Sequence, residues 1–518
     1  MSLIQTTSVF LLGLLVLRAI LPTIRGKNKL PPGPKPYPII GNALDMPLVR
    51  SWVKFQEWCD VYKSDLIFIH LPFRTALIVG STKAAVELLE KRSPIYSERM
   101  RSIVLEMMGW THFFPMMSAS KPGWKEQRKL FHQHYGYDTR RHNPVQLQQV
   151  RKFLSWVLKS PQDTPQLVRQ MISSVIVTVT YGKTVTGMDD ECIVTVATAA
   201  KGISEASIPG IYWVDYFPIL RHVPTWFPGA TSRRLSEKYL PYVMLMREKA
   251  YNDTKIALDN GLAAPSVAAT LIENIREKHG AESKEGILQD ELAKTVTSIA
   301  YVGGIDTTNS SAEAFLVAMA MHPHIQIKVQ NELDRVVGRN RLPEFGDFER
   351  IPYLRAILLE TLRWMPVAPL GIPHVSIADD VYNGYFIPKG TIVIPNRWSM
   401  AHNPEDYPDP LEFIPERHLR PDGTIDPKAE DQIMTLILGF GRRSCPGRAF
   451  GLETLSIYIA STLFAFEITA GVDETGKPVK LTAELDGGLV ANVPVVPRGM
   501  KPRFPAVTQL IREAVEDQ

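Results

Sequence analysis

Cysteine is scarce. The 518-residue chain has three, Cys59, Cys192 and Cys445, far apart and odd in number. This argues against a disulfide framework and for a reducing compartment. No Cys-x-x-Cys or His-Cys cluster offers zinc ligands, and no Cys-x-x-Cys-His would attach a haem covalently. No Gly-x-Gly-x-x-Gly follows a strand to open a helix, so the sequence shows no flavin or nicotinamide module. A large excess of one charge is also missing, and a formal +4 is too small to argue for nucleic acid. There is no internal repeat or low-complexity tract, and no linker-like composition after residue 40. Length alone would allow about three domains, but one large domain fits this uniformity better. Hydrophobic content of 45% and charged content of 22% are ordinary for a chain that buries a core.

One long apolar run is present, from Ser8 to Ile24, interrupted by Arg18 and followed by Arg25, Lys27 and Lys29. It is long enough for a tilted or slightly short membrane helix, with Arg18 off-centre and able to snorkel. Basic residues follow the run and none precedes it, so the positive-inside rule places the body of the chain in the cytosol. A cleaved signal peptide fits worse, because a charged n-region and a small-residue cleavage site are missing. Leu30-Pro-Pro-Gly-Pro-Lys-Pro36 is then a stiff, extended spacer. The expected division is an anchor with its basic flank over 1–30 and a catalytic domain over 31–518.

The chemistry concentrates in Leu438-Gly-Phe-Gly-Arg-Arg-Ser-Cys-Pro-Gly-Arg-Ala-Phe-Gly451. Cys445 sits between close-set glycines and behind two arginines, which suits the axial thiolate of a haem iron. Such a thiolate donates strongly and favours O–O cleavage over reversible oxygen binding. Gly441 and Gly447 let backbone approach a macrocycle where a side chain would collide, and Arg443 offers a donor fork to a haem propionate. An isolated cysteine in a glycine-rich turn is more often an inert buried thiol, but here two glycines and an arginine stand in register with it.

A second motif lies inside a pattern that predicts a long, buried helix from Gln289 to about Met321: Gly303-Gly-Ile-Asp-Thr-Thr308. Each interior glycine costs a helix roughly 1 kcal/mol relative to alanine, so something must require bare backbone there. Thr307 can bond back to the Gly303 carbonyl and leave room for water, and Asp306 adds a proton source beside it. A helix–helix packing notch would explain the two glycines alone, but not all six residues.

The loop Leu438 to Gly451 resembles the haem-binding signature of the cytochrome P450 family, Phe-Gly-x-Gly-x-Arg-x-Cys-x-Gly, with Leu438 in place of Phe. Gly303 to Thr308 is similar to the family's oxygen-activation motif. Trp124 and Arg128 resemble its Trp-x-x-x-Arg, whose members donate to a propionate. Glu360 and Arg363, with Pro415-Glu-Arg417, resemble the Glu-x-x-Arg helix and its partner, an ion-pair network that supports the haem loop. His418 stands where that motif usually has Phe, and His374 where the family commonly has Arg or His near a propionate. The Pro-rich spacer looks like the hinge of microsomal members. The aromatic, proline-rich intervals around Ile208-Pro-Gly210, Tyr216-Phe-Pro218 and Val223 to Gly229 resemble the lid-helix loop of fungal secondary-metabolism members.

The resemblance implies a mainly α fold with a smaller β-rich lobe and one N-terminal transmembrane helix. It implies haem b held by Cys445, with Trp124, Arg128, Gly303, His374, Arg443 and Gly447 around it, and Asp306 and Thr307 as catalytic residues. Val104, Met107, Met108, Ile299, Ala300, Val367, Leu370 and Leu489 are substrate-pocket candidates. The implied reaction is insertion of one oxygen atom from O2 into a small apolar organic substrate, in fungal secondary metabolism or xenobiotic oxidation. Electrons would come from the microsomal NADPH-dependent reductase, docking near Lys125, Lys129, Arg442 and Arg448 at the endoplasmic reticulum membrane. An oxygen-independent haem-thiolate isomerase or dehydratase, and a non-catalytic haem sensor or electron carrier, are the alternatives. The intact Asp306-Thr307 pair argues against the isomerase.

Overall fold

The chain was analysed as a computed structural model, which describes residues 29–47, 49–206, 212–494 and 496–516. The helices of twelve residues or more are α1 (Ser51–Tyr62), α2 (Trp124–Tyr135), α3 (Asn143–Lys159), α4 (Thr164–Tyr181), α5 (Glu191–Ala206), α6 (Thr231–Asp259), α7 (Val267–His279), α8 (Lys284–Met321), α9 (Pro323–Val337), α10 (Pro352–Trp364), α11 (Pro427–Leu438), α12 (Arg448–Ala465) and α13 (Pro505–Glu516). The strands are β1 (Leu66–Leu71), β2 (Arg74–Val79), β3 (Glu98–Arg99), β4 (His374–Val375), β5 (Asp380–Tyr382), β6 (Tyr385–Ile387), β7 (Ile392–Pro395), β8 (Phe466–Ala470) and β9 (Arg498–Pro502). The protein is mainly helical with small sheets. No helix among the described residues is long and apolar enough to cross a membrane. The apolar run from Ser8 to Ile24 lies outside the described residues, as does Ile208-Pro-Gly210.

α8 is the axis of the helical part and packs against α2, α4, α6, α7, α10 and α12. Over 293–319 its sequence is mostly apolar or small residues with few charges, the pattern of a helix surrounded by protein. Ser283 caps the N-terminus, its Oγ accepting from Gly286 N at 2.9 Å, and Pro323 opens the next helix. The main sheet runs β1-β2-β7-β4-β3, with β2 and β7 parallel in the register Ala76↔Ile392 and the other pairs antiparallel. β5 and β6 form a hairpin on Asn383-Gly384, both at positive φ (50° and 76°) as a tight primed turn requires.

Two segments depart from the sequence pattern in ways that bear on the site. The run Ser81 to Arg92, helical by its apolar pattern, is α-helical only over Thr82–Ala85 and continues as a π-helix, Val86–Lys91. This wider turn sets the Leu89 carbonyl where a Cβ on Gly441 (φ 52°) would approach to 2.7 Å, so the Cys445 loop packs on it only with glycine there. The run Val472 to Val496 reads as short strands by composition, but its described residues form irregular chain with one isolated bridge, Val472↔Pro478, while β8 pairs with β9. Backbone groups of that segment bond outward, Ala491 N to Val367 O (2.8 Å) and Ala491 O to Ser310 Oγ (2.6 Å), which precludes a local hairpin at those positions.

Behind the Cys445 loop, α10 carries a buried carboxylate that ties several loops together. Arg363 donates Nε and Nη2 to the two oxygens of Glu360 at 2.8 Å each, and Arg417 Nε reaches Oε1 at 3.1 Å. His418 joins them, with Nε2 2.8 Å from Glu360 Oε2, so the residue that replaces Phe adds a polar contact to the network. Arg363 also donates to the carbonyls of Ala401, Pro410 and Glu412. Burial alone would raise the Glu360 pKa, but the bonds from Arg363 and His418 outweigh it and hold it down at about 2 against an ordinary 4.5. Because the folded pKa is depressed, the contribution is fully present above about pH 4.5 and is lost as pH falls towards 2. Glu360→Gln should therefore lower unfolding free energy at neutral pH by about 3 kcal/mol. In urea titrations the gap from wild type should shrink as pH falls through that window; a gap independent of pH would contradict this account.

Candidate haem site

α8, α12, the Cys445 loop and the chain around 110–116 enclose a cavity of about 850 Å³. Cys445 lines it and presents its thiol to the cavity space. The loop is pinned by its own backbone, Cys445 N donating to Leu438 O at 2.6 Å, so leucine at that position still supplies the carbonyl that closes the turn. Burial raises the Cys445 pKa, while the Gly447 amide and the positive Arg128, Arg397 and Arg448 pull it down. Those neighbours favour a thiolate, as a metal ligand requires.

The glycine pair on α8 divides its duties. A Cβ on Gly303 would meet nothing within 4 Å, so this residue opens the helix onto the cavity. A Cβ on Gly304 would lie 2.6 Å from Ile176 Cδ1, so this residue lets α4 pack closely. The packing notch accounts for Gly304, while Gly303 faces open cavity. Thr307 Oγ1 donates to Gly303 O at 2.8 Å, the back-bond that the spacing suggests. Asp306 is held by Arg169 of α4, Nη2 to Oδ1 at 2.8 Å, and both line the cavity.

One end of the cavity is strongly basic. Arg99, Arg128, Arg397 and Arg443 all line it. Burial, then mutual repulsion with Arg443, Arg397 and Arg128, lowers the Arg99 pKa well below its ordinary value, and burial brings Arg397 and Arg443 down to about 10. Glu98, 3.9 Å from Arg443, offsets part of this charge. Arg397 Nε and Trp124 Nε1 are buried without a hydrogen-bond partner. Four guanidinium groups, one with an orphaned donor, lining an apolar cavity that also holds a thiol fit a flat apolar ligand with two carboxylates on one edge, as in haem b. The residues present therefore fit the group.

The expected residues are placed as follows. Trp124 and Arg128 lie on α2; Arg128 Nη2 donates to Ser444 O at 2.9 Å, and Arg443 stacks over the Trp124 ring at 4.7 Å. The Arg443 donors go to the carbonyls of Ser97, Phe114 and Met117, so this side chain braces the loop around 97–117 as well as facing the cavity. Gly447 lines the cavity. His374 is set back in β4, its Nδ1 2.7 Å from Tyr96 O, and burial with Arg99 beside it pushes its pKa well down. Ile299, Ala300, Val367 and Leu489 line the cavity, and Leu370 lines a neighbouring one of about 760 Å³. Val104 and Met108 are instead buried in the main core and Met107 packs against it, where Gly109 meets Leu240 and Val243 of α6. Trp110, Phe113 and Phe114, a few residues on, line the cavity.

Sequence reasoning missed Arg99 and Arg397. Neither sits in a motif: Arg99 is half of the two-residue strand β3, and Arg397 follows the apolar β7 by two residues. Replacing Arg397 by Gln should speed haem loss to an apoglobin scavenger by about 10- to 100-fold, because a charge-assisted hydrogen bond contributes about 1.5–3 kcal/mol. An unchanged rate would remove Arg397 from the propionate site.

The cytochrome P450 family model matches residues 31–490. Cytochrome P450 monooxygenase COX2 of Coprinopsis cinerea is 38% identical over 507 residues, covering 96% of this chain and 94% of that protein. Cytochrome P450 monooxygenase ple1 of Rhodocybe pseudopiperita is 36% identical, covering 94% and 92%. The tryptamine 4-monooxygenase of Psilocybe cyanescens is 34% identical, covering 94% and 95%. Matching over nearly its whole length, the chain belongs to the cytochrome P450 family, haem b enzymes with a cysteine thiolate ligand that incorporate oxygen from O2 into organic substrates.

Proposed function

We propose that this enzyme oxygenates an apolar, ring-containing metabolite of fungal secondary metabolism or a xenobiotic of similar character, with Cys445 as the axial ligand and Asp306 and Thr307 controlling protons. The observation that carries this reading is the Thr307 to Gly303 back-bond beside an open glycine, in the cavity that also holds Cys445. Haem held by a thiolate supplies reductive activation of dioxygen, so that substrate, O2, two electrons and two protons give oxygenated product and water.

The protein's part is positioning and proton control. Thr307 Oγ1, fixed by its bond to the Gly303 carbonyl, keeps lone pairs for a water donor in the space that Gly303 leaves open. Asp306 is oriented through Oδ1 by Arg169, which leaves Oδ2 to exchange protons. Trp110, Phe113 and Phe114, with Ile299, Ala300, Val367 and Leu489, give the cavity an apolar, largely aromatic wall. An aromatic substrate suits that wall, and the relative named for tryptamine is consistent with one. The two cavities share Arg99, Met116, Ser204, Gly371, Ile372 and Leu489 as lining, which supports entry of substrate through the second.

Partner and placement follow from surface chemistry. Lys125, Lys129, Arg442 and Arg448 are exposed near the Cys445 loop and favour an acidic flavoprotein, the microsomal NADPH-dependent reductase. Trp213, Phe217, Ile219 and Trp226 are exposed together with Phe73, whose ring lies 5.5 Å from Phe217. This apolar surface, with the run from Ser8 to Ile24, supports attachment to the endoplasmic reticulum membrane with the catalytic domain in the cytosol.

Thr307→Ala, reconstituted with reductase and assayed on a panel of ring-containing fungal metabolites, should bind substrate nearly as wild type does while diverting electrons to hydrogen peroxide. Product formed per NADPH should fall by about tenfold or more, the scale of a lost proton-transfer group. Unchanged coupling would remove Thr307 from oxygen activation.

A further inference from the structure

Two turns beyond the glycine notch, α8 carries a second acid that the mechanism above does not use. Glu313 is 5% exposed, and it lines the same cavity as Asp306, Thr307 and Ser310. Thr307, Ser310 and Glu313 follow one another at steps of three, the spacing at which side chains on a helix are neighbours. Ser310 Oγ donates to Ala491 O at 2.6 Å and keeps lone pairs that can accept a proton.

The surroundings of Glu313 are polar and incompletely paired. Arg498 of β9 faces it, Nη2 to Oε2 at 3.7 Å with the Arg498 side chain fully buried, and Tyr458 of α12 stands beside both. Glu313 Oε1, Arg498 Nε and Nη2, and Tyr458 OH are all buried without a hydrogen-bond partner. Buried polar groups grouped in this way are the kind that ordered water satisfies. Asn492 is exposed and lines the same cavity as Glu313. Burial pushes the Glu313 carboxyl up to about 7, with Arg498 pulling the other way, and Tyr458 is raised well above its ordinary value by burial and by Glu313. Near neutral pH, Glu313 is therefore able both to lose and to regain a proton.

We propose that Glu313 is a proton reservoir for oxygen activation, passing protons through Ser310 to Thr307 and drawing them from water held beside Tyr458 and Arg498. The proposal rests on the reading of Thr307 as the proton-controlling hydroxyl. In each transfer one O–H bond breaks and one forms, and no electrons move. Through bridging water, the Glu313 proton goes to Ser310 Oγ as the Ser310 hydroxyl turns from Ala491 O and passes its own proton on to Thr307 Oγ1, and the Thr307 proton, released from Gly303 O, leaves into the cavity. The Glu313 carboxylate left behind faces Arg498 and is reprotonated by water that exchanges with solvent. Glu313 acts through Thr307 and is a relay residue, touching neither substrate nor haem. A purely structural account would have the Glu313–Arg498 pair do no more than fasten β9 to α8.

Two readouts separate these accounts in the full-length holoenzyme. Infrared difference spectra of wild type minus Glu313→Gln should show a protonated carboxyl band that disappears as pH rises through about 7, without any turnover. In turnover with reductase, wild-type product per NADPH should decline over the same range. Glu313→Gln should be lower by about three- to tenfold and flat with pH, since Asp306 still supplies protons, and Glu313→Asp should restore the slope. Absence of the titrating band, or wild-type coupling and slope in Glu313→Gln, overturns the relay and leaves the monooxygenase reading intact. Absence of any oxygenated product from the wild-type enzyme overturns both.

Discussion

Four guanidinium groups line one apolar cavity, and a negative, flat ligand lying against them would relieve the cost of burying their charge. Arg99, Arg128, Arg397 and Arg443 are drawn from β3, α2, the chain after β7 and the Cys445 loop. No single segment could place them. Their depressed pKa values record burial and, for Arg99 and Arg443, mutual repulsion. The thiol of Cys445 and the bare backbone of Gly303 line that same cavity. A bound haem dianion therefore contributes to holding these elements together as well as to reactivity.

Two features outside the cavity order the chain near it. Glu360 gathers Arg363, Arg417 and His418 into a buried, fully hydrogen-bonded carboxylate site, and Arg363 spends its remaining donors on the carbonyls of Ala401, Pro410 and Glu412. Such a network fixes geometry more than it adds net stability, because desolvating the charges offsets much of their attraction. The π-helix at Val86–Lys91 brings Leu89 O against Gly441 of the Cys445 loop.

Most of this was legible in the sequence where a short spacing carries the chemistry. The Cys445 loop, the Gly303 to Thr308 notch and the Glu360–Arg363 helix are local motifs, and α8 (Lys284–Met321) ends where the pattern from Gln289 to about Met321 places it and begins five residues earlier. What was not legible depends on contacts between distant segments. Arg99 and Arg397 become site residues only because β3 and the end of β7 converge through β4. The chain over 472–496 has strand-like composition but satisfies part of its backbone against Val367 and Ser310, so local propensity loses to tertiary pairing. Val104, Met107 and Met108 are apolar and packed in the same core as Trp110 and Phe113, and only the position of the chain relative to the cavity separates the two groups.

The central claim is that Cys445 is the thiolate that holds the iron. The most direct measurement is the absorption spectrum of the reduced, carbon monoxide-bound protein for wild type and Cys445→Ala. Wild type should show the long-wavelength Soret band of a thiolate-ligated haem, and the variant should lose it even where some haem is retained. Persistence of that band in Cys445→Ala would mean that another residue ligates the iron, and the account built on this loop would fail.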